Sequence, residues 1–286
     1  MTPHPALTVG RTAVITGAAD GIGLAAAKRF AALGLNVCIA DVDETRLAAA
    51  ETEVCAEADD DQGVLAVSTD VSQLDQVQRL RQAVLEAFGD IAVLMNNAGT
   101  GSGGGPWSNY EGWRQVLDAN LWGVINGVHT FAETMIAQNR PCAIVNTGSK
   151  QGITNPPGDT AYNVSKAGIR TLTESLAHQL RELEGCQVSA HLLVPGFTYT
   201  GLIRRHIKDK PLAAWLPEQV AEELLNAMAR GEFYIICPDN DVTREMDNRR
   251  IQWNTDDIIR NRPALSRWHP EFREAFEAFA RGERSS

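Results

Sequence analysis

Short apolar runs alternate with longer segments of helical periodicity along most of the chain, and this alternation restricts the fold more than any other feature of the sequence. Strands that alternate with helices form right-handed βαβ units, which build a parallel sheet covered by helices on both faces. The sequence therefore predicts an α/β fold, a single doubly wound domain with a mostly parallel seven-stranded sheet, with strands at 12–16, 36–40, 64–67, 91–95, 143–147, 187–194 and 233–237. The longest helical patterns cover residues 74–88, 113–138 and 161–183.

A glycine-rich turn, Thr-Gly-Ala-Ala-Asp-Gly-Ile-Gly at 16–23, joins the first predicted strand to the first helix. Glycines there let the backbone approach a pyrophosphate, and the start of the helix offers free N–H groups. Asp41 ends the second strand, where a carboxylate would accept hydrogen bonds from ribose hydroxyls and repel a 2′-phosphate. No arginine or lysine stands in the turn or just after Asp41, so we expect NAD rather than NADP. The candidate residues of the turn are Gly17, Asp20, Gly21, Ile22 and Gly23.

Tyr162 and Lys166 are four residues apart in a predicted helix, which places them one turn apart on the same face. A cation beside a tyrosine favours the phenolate and lowers the pKa, so Tyr162 is a candidate acid or base near neutral pH. Ser149 ends an apolar strand and is placed to supply a second hydroxyl. By its spacing alone, the pair also fits an ordinary helix with one solvated lysine, so other motifs have to decide between the two interpretations.

Those other motifs are Asp70-Val71, Asn96-Asn97-Ala98-Gly99, Asn120 in a long helix, and Pro195-Gly196. Together with the glycine turn, Ser149 and the Tyr162–Lys166 pair, they occur in the order of the short-chain dehydrogenase/reductase family, which this chain resembles over about residues 8–240. The resemblance implies a Rossmann-type fold and a metal-free oxidoreductase that interconverts a secondary alcohol and a ketone. It also implies a homodimer or homotetramer that pairs through the long helices.

The resemblance assigns roles to individual residues. Tyr162 becomes the acid/base, Lys166 lowers its pKa and holds the nicotinamide ribose, and Ser149 bonds the substrate oxygen. Asn120 completes the catalytic set by holding a water that connects Lys166 to solvent. The implied cofactor is NAD, and beyond the turn and Asp41 its implied contacts are Asp70, Val71, Asn97, Ala98, Gly99, Tyr162, Lys166, Pro195, Gly196 and Thr198.

The substrate pocket is expected in the variable segments, with a lid at about 197–216 inside a catalytic domain of residues 8–240. The aromatic and apolar residues of these segments favour a fairly apolar or aromatic-bearing substrate, although ordinary loop packing would also explain them. The candidate substrate contacts are Gln151, Asn155, Phe197 and Trp215. Residues 241–286 form a C-terminal extension that we expect to pack on the core or on a partner subunit, with Phe272, Phe276 and Phe279 on one helical face.

Composition excludes several classes of protein. A net charge of −10 and a pI near 5.1 argue against a surface for nucleic acid or anionic membranes. No apolar run reaches the ~18–20 residues of a membrane span and no signal-peptide pattern is evident, so we expect a cytoplasmic protein. The cysteines form no Cys-x-x-Cys pair and the histidines are scattered, so no metal site is expected. The alternatives are an NADP-dependent reductase, an epimerase or dehydratase of the same fold, and an NAD-sensing regulator without turnover.

Overall fold

The structure is a computed structural model that describes residues 2–283. Its strands are β1 (Thr12–Thr16), β2 (Asn36–Asp41), β3 (Val64–Ser68), β4 (Val93–Asn96), β5 (Cys142–Thr147), β6 (Val188–Val194) and β7 (Tyr234–Ile236). They form one sheet in the order β3-β2-β1-β4-β5-β6-β7. Every neighbouring pair in it is parallel.

Helices connect these strands and also form the C-terminal extension. They are α1 (Gly21–Ala32), α2 (Glu44–Cys55), α3 (Leu74–Phe88), α4 (Tyr110–Val116), α5 (Gly123–Ala137), α6 (Gln151–Thr154), α7 (Thr160–Glu182), α8 (Gly201–Arg204), α9 (Pro217–Ala229), α10 (Arg244–Ile259) and α11 (Arg273–Arg281). A π-helical segment, Leu117–Trp122, joins α4 to α5.

The central strands are buried on both sides, which explains why apolar residues occupy consecutive positions in them, as in Ala13–Ile15 and Cys142–Val145. In β1, Ala13 and Ile15 belong to one buried cluster, whereas Val14 belongs to the other. Helices α1, α2 and α9 contribute to the first cluster. Helices α3, α5 and α7 contribute to the second, so each face of the sheet has its own layer of helices.

The strand order places a topological switch point beside β1, whose two neighbours are β2 and β4. The chain passes from β1 to one side for β2 and β3, and then crosses to the other side for β4 through β7. The connections that follow β1 and β4 therefore diverge at the carboxyl edge of the sheet. In open α/β sheets this crevice is where ligands bind.

The predicted doubly wound fold is confirmed, with differences in detail. The sheet is entirely parallel rather than mostly parallel, and β7 has three residues instead of the predicted five. The helix predicted at 113–138 is instead α4, the π-helical segment and α5, spanning residues 110–137. Helix α6 was not predicted, because four residues are too few for a periodic pattern.

The extension folds back on the catalytic part of the chain. Helix α10 contacts α6, where the Asn254 side-chain amide donates to the Ile153 carbonyl at 3.2 Å. The rings of Phe276 and Phe279 lie 5.5 and 5.4 Å from the Trp253 ring of α10. Phe272 lies directly before α11, which begins at Arg273, and its ring contacts the His269 ring. The limits proposed for the catalytic domain and the extension stay a prediction.

Candidate active site

A cavity of about 810 Å³ lies at the carboxyl edge of the sheet, and segments that follow six of the strands form its walls. Most of the residues singled out from the sequence line it, although they come from positions almost 200 residues apart. They are Gly17, Asp20, Gly21, Ile22, Asp41, Asp70, Val71, Asn97, Ala98, Gly99, Ser149, Gln151, Tyr162, Lys166, Pro195, Gly196, Phe197 and Thr198.

The glycine turn packs tightly against the segment after β4. Gly17 has φ +64°, and a Cβ there would stand 2.6 Å from the Ala98 Cα. The Thr16 hydroxyl accepts the N–H groups of Asn97 and Ala98 at 3.0 and 3.2 Å. Gly23 lies behind the turn, where a Cβ would stand 2.3 Å from the Gly17 carbonyl oxygen. Glycine is therefore required at both positions for this close approach, and the start of α1 faces the cavity.

Asp41 closes the cavity at the end of β2. Its two carboxylate oxygens accept the N–H groups of Ala19 and Asp43, each at 3.1 Å. The Arg46 guanidinium also lines this wall, 3.3 Å from the Asp43 carboxylate and 3.7 Å from that of Asp20. Sequence reasoning missed Arg46 because it lies five positions after Asp41, where only the first turn of α2 brings it back to the strand end.

Asp20 connects the glycine turn to the lid. Its carboxylate caps α1 by accepting the Gly21 N–H at 2.6 Å. It also forms an ion pair with Arg204 of α8. Arg204 and Arg46 thus place two positive charges around a carboxylate at the start of α1, which offsets its repulsion of an anion there.

Tyr162 and Lys166 project from the first turns of α7 toward the end of β5. Asp159 caps this helix by accepting the Tyr162 N–H at 3.2 Å. Lys166 is buried, its Nζ donates to the Thr147 carbonyl at 2.8 Å, and it lies 5.6 Å from the centre of the Tyr162 ring. Ser149 follows β5 directly, so the hydroxyl, the phenol and the ammonium share one wall.

The electrostatics differ from the sequence-based expectation for Tyr162. Burial raises the pKa of Tyr162 above its ordinary value, a hydrogen bond with Ser149 opposes that rise, and the Asp159 charge adds to it. Burial lowers the pKa of Lys166 to about 8. The expectation that Lys166 lowers the pKa of Tyr162 does not hold in this structure, because the ammonium is itself desolvated and is bonded to Thr147.

The family model of the short chain dehydrogenases matches residues 11–211. The chain belongs to this family. This short-chain dehydrogenase is 32% identical over 253 residues to a 1-deoxy-11-beta-hydroxypentalenate dehydrogenase from Streptomyces arenae, covering 85% of this chain and 88% of that protein. It is therefore an oxidoreductase of the dehydrogenase/reductase type.

Two solved structures that resemble this chain hold a nicotinamide cofactor. A short-chain dehydrogenase from Burkholderia phymatum in complex with NAD is 36% identical, with a TM-score of 0.79 over 89% of this chain and 96% of that one. A metagenomic short-chain oxidoreductase in complex with NADP is 30% identical, with a TM-score of 0.67 over 81% of this chain and 98% of that one. The fold of this short-chain dehydrogenase thus binds a nicotinamide cofactor, and the two neighbours differ in which one they hold.

Asn120 lies in the π-helical segment and is fully buried. Its side-chain oxygen accepts the Thr100 N–H at 2.7 Å, and its amide donates to the Thr100 carbonyl at 2.9 Å and to the Ser165 hydroxyl at 3.1 Å. Both amide hydrogens are used by protein groups, so the side chain holds the loop after β4 against α7. The expected contact of Asn120 with a relay water stays a prediction.

The four candidate substrate contacts separate into two pairs. Gln151 and Phe197 line the cavity. Asn155 instead ends α6 in a left-handed conformation, with its side-chain oxygen accepting from the Asn163 amide at 3.0 Å. Trp215 packs on the core, and its backbone pairs with Phe197 and Tyr199. Neither Asn155 nor Trp215 lines the cavity, which corrects the expectation that they contact the substrate: Asn155 is exposed and bonded to Asn163, and Trp215 packs on the core.

Asp159 lines the cavity and shapes its rim. Its carboxylate accepts the N–H groups of Ser102, Gly103 and Gly104 at 2.7–3.1 Å. The glycine-rich loop after β4 is therefore tied to the start of α7. An aspartate directly before a helix is a capping signal, and that signal was available from the sequence.

Two absences concern the part of the chain that the structure describes. Among residues 2–283, no group of three or more His, Cys, Asp or Glu side chains is arranged to hold a metal ion. Within the same residues, no helix has both the length and the apolar character needed to cross a membrane.

Proposed function

We propose that this short-chain dehydrogenase uses NAD to interconvert a secondary alcohol and a ketone. The observation that carries the proposal is that Ser149, Tyr162 and Lys166 share a cavity with the glycine turn and Asp41. One end of this cavity offers the start of a helix and a carboxylate for a dinucleotide, and the other end offers a phenol and a hydroxyl for a substrate oxygen.

The proton chemistry belongs to Tyr162. In the oxidation, its phenolate oxygen takes the hydroxyl proton of the substrate while the carbon-bound hydrogen leaves with its electron pair; the reduction reverses both transfers. When NAD is bound, its nicotinamide ring accepts or returns that hydride. Ser149 donates a hydrogen bond to the substrate oxygen, which orients it and stabilises its developing charge without a metal.

The raised pKa of Tyr162 affects the oxidation and the reduction differently. The phenol keeps its proton at neutral pH and can donate it to a ketone, whereas the oxidation requires the phenolate and is favoured at higher pH. We propose that Lys166 supports both directions by holding the ribose hydroxyls of the cofactor, since its ammonium is buried and lies 5.6 Å from the centre of the Tyr162 ring.

NAD is proposed over NADP because Asp41 faces the cavity with a carboxylate that would repel a 2′-phosphate. Arg46 lies on the same wall, but its guanidinium is already paired with Asp20 and Asp43. Steady-state kinetics with both cofactors test this point. A kcat/KM for NADP that equals or exceeds that for NAD would contradict it.

The proposed substrate has an apolar or aromatic-bearing body next to the reacting carbon. Phe197, Leu202 and Ile203 line the lid side of the cavity and offer it an apolar surface. Gln151 lies on the opposite segment, near Ser149, and is placed to contact a polar substituent. The apolar lid side and the polar Gln151 beside Ser149 together favour a substrate whose polar group lies close to the reacting oxygen.

A panel of secondary alcohols and ketones, followed by the absorbance of NADH, tests the proposed function. We expect apolar and aryl-substituted compounds to be turned over and Tyr162→Phe to abolish turnover while NAD binding persists. Tight NAD binding without turnover of any compound would favour the alternative of a cofactor-sensing protein. Near-normal turnover by Tyr162→Phe would refute the proton role.

We also propose that the protein forms a homodimer or homotetramer through its long helices. Trp122, beside α5, and Val164 of α7 are exposed apolar residues on these elements, 53% and 43% accessible. Sedimentation of the purified chain and of Trp122→Arg tests the assembly, and a monomeric parent protein would refute it. The cytoplasmic location expected from the sequence stays a prediction.

A further inference from the structure

Lys150 is a partly buried cation directly after Ser149, and the proposed chemistry gives it no part. Its Nζ lies 2.6 Å from the Asp247 carboxylate of α10 and 3.4 Å from the Asp239 carboxylate. The three side chains are only 17%, 5% and 6% exposed. One ammonium thus joins the loop that carries Ser149 to two carboxylates: Asp239, just before the C-terminal extension, and Asp247, on its first helix.

One of these two carboxylates also contacts the opposite wall of the cavity. Asp239 accepts the N–H of Phe197, which follows Pro195-Gly196, at 3.2 Å. A Cβ on Gly196 would stand 2.9 Å from the Asp239 carboxylate and 3.0 Å from the Lys150 Nζ. The glycine therefore allows the ion cluster to come directly against the segment where we propose that the nicotinamide binds.

Two amide side chains add neutral contacts to this arrangement. Asn240 donates to the Leu212 and Ala214 carbonyls of the lid at 2.6 and 3.3 Å. Asn254 of α10 donates to the Ile153 carbonyl on the Ser149 loop. We call Asp239, Asn240, Asp247 and Asn254 the C-terminal clasp. Its residues contact the Ser149 loop, the segment after β6 and the base of the lid.

Stability alone does not account for such a cluster. Removing a lysine and two carboxylates from water costs several kcal/mol per ion, and apolar residues of similar size are often equally stabilising or better. A shared ammonium does, however, fix the positions of the backbones that carry its partners. Arg250 is the further cation at this cluster, 4.0 Å from Asp247. It lies on α10 itself, so Lys150 is the cation that links the extension to the active-site loop.

We propose that Lys150 is a positioning residue and that the C-terminal clasp holds Ser149 and Phe197 at the working distance from Tyr162. This inference rests on the proposed function, in which Ser149 orients the substrate oxygen. The extension then contributes to the active site of its own chain. It fixes the positions of the two cavity walls relative to each other and does not cover the cavity entrance.

The test compares Lys150→Met, Lys150→Arg and Asp247→Asn with the parent enzyme. Because a misplacement of about 1 Å costs about 10²-fold in rate, we expect Lys150→Met and Asp247→Asn to lower kcat by roughly 10- to 100-fold. The KM for NAD should change less than kcat, since the hydrogen bonds of the clasp reach the segment after β6 but not the glycine turn. Lys150→Arg should recover most of kcat, because a guanidinium can bridge two carboxylates.

Glu245→Gln is the matched control, because it removes an exposed ion pair with Arg249 on the same helix. It should leave kcat and both KM values unchanged. A folded Lys150→Met enzyme with the parent kcat would overturn the proposal. So would a loss of kcat in Lys150→Met that Lys150→Arg does not recover.

A second measurement does not depend on turnover. Hydrogen exchange should rise in residues 149–155 and 197–200 of Lys150→Met, but not in the glycine turn at 16–23. If the parent protein has no activity, the proposed function fails and this measurement still decides whether the clasp orders the two walls. Unchanged exchange in both segments would refute the clasp.

Discussion

Gly152 offers the sharpest test of how the Ser149 loop is positioned, because it packs directly on the backbone of α7. A Cβ at this position would stand 2.4 Å from the Lys166 carbonyl carbon and 2.6 Å from its oxygen. The neighbour is helix backbone, which cannot rotate away as a side chain would. The same glycine donates its N–H to the Ser149 carbonyl at 3.0 Å.

The size of the effect of Gly152→Ala follows from these distances. An ordinary contact needs 3.4 Å, so the two backbones must separate by about 1 Å. Helix α7 is long and packed into the core, whereas α6 has four residues, so the movement falls on the Ser149 loop. A displacement of about 1 Å between Ser149 and Tyr162 should lower kcat by about 10²-fold, and the strain should cost about 1–3 kcal/mol of stability.

The assay is steady-state turnover of the best substrate, with thermal unfolding measured on the same samples. Gly105→Ala is the control, because a Cβ there meets only the Ser108 hydroxyl, at an unstrained 3.5 Å. We expect Gly105→Ala to match the parent in both measurements. If Gly152→Ala kept both the parent kcat and the parent melting temperature, the reasoning about this contact would be refuted.

Three further predictions concern other parts of the molecule. Lys166→Met removes the buried ammonium bonded to Thr147, so turnover should fall by roughly 10²-fold and NAD should bind more weakly in a fluorescence titration; unchanged binding would contradict the ribose contact. Asp41→Ser leaves Arg46 on the wall without the repelling carboxylate, so the kcat/KM ratio of NADP to NAD should rise at least about tenfold, and an unchanged ratio would show that Asp41 does not discriminate. Burial and the neighbouring His191 lower the pKa of His4 from 6.5 to about 4, so the unfolded chain takes up a proton first and stability falls as the pH drops from 6.5 toward 4. Partial exposure reduces the loss from His4 to about 2 kcal/mol, and denaturation at pH 7 and pH 4.5 should show a smaller loss in His4→Gln than in the parent; some loss remains, because burial also lowers the pKa of His191.

The fold was predictable because each central strand is buried on both faces. Both faces of β5 are apolar over residues 142–145, so this part of the strand appears in the sequence as a continuous apolar run between helices. The ends of strands were less predictable, because they depend on pairing. Ile91 and Ala92 are apolar and fully buried, yet β4 begins at Val93, where its pairing with β1 begins. The π-helical segment around Asn120 left no pattern, since its apolar spacing resembles that of an α-helix.

The site was predictable where each motif follows the end of a strand, because parallel strands bring those ends to one edge of the sheet. The sequence could not show which partner each charged side chain contacts. The spacing of Tyr162 and Lys166 indicates proximity, but not that the ammonium bonds to Thr147. Lys150 and Asp247 are 97 positions apart, and each would be interpreted as a solvated surface charge until the fold removes both from water.

The polar nature of the clasp follows from how the extension is built. Trp253 is buried between Phe276, Phe279 and the Arg262 guanidinium, and its indole N–H donates to Ser266, so the extension has a small core of its own.

Helix α10 therefore does not need the catalytic domain for apolar burial. Its face toward the Ser149 loop carries Asp247, Ile251 and Asn254, four and three residues apart on one side of the helix. A purely apolar face could slide along the loop by a turn at little cost. A carboxylate that must meet Lys150 and an amide that must meet the Ile153 carbonyl permit one register, because any other leaves a buried charge unpaired.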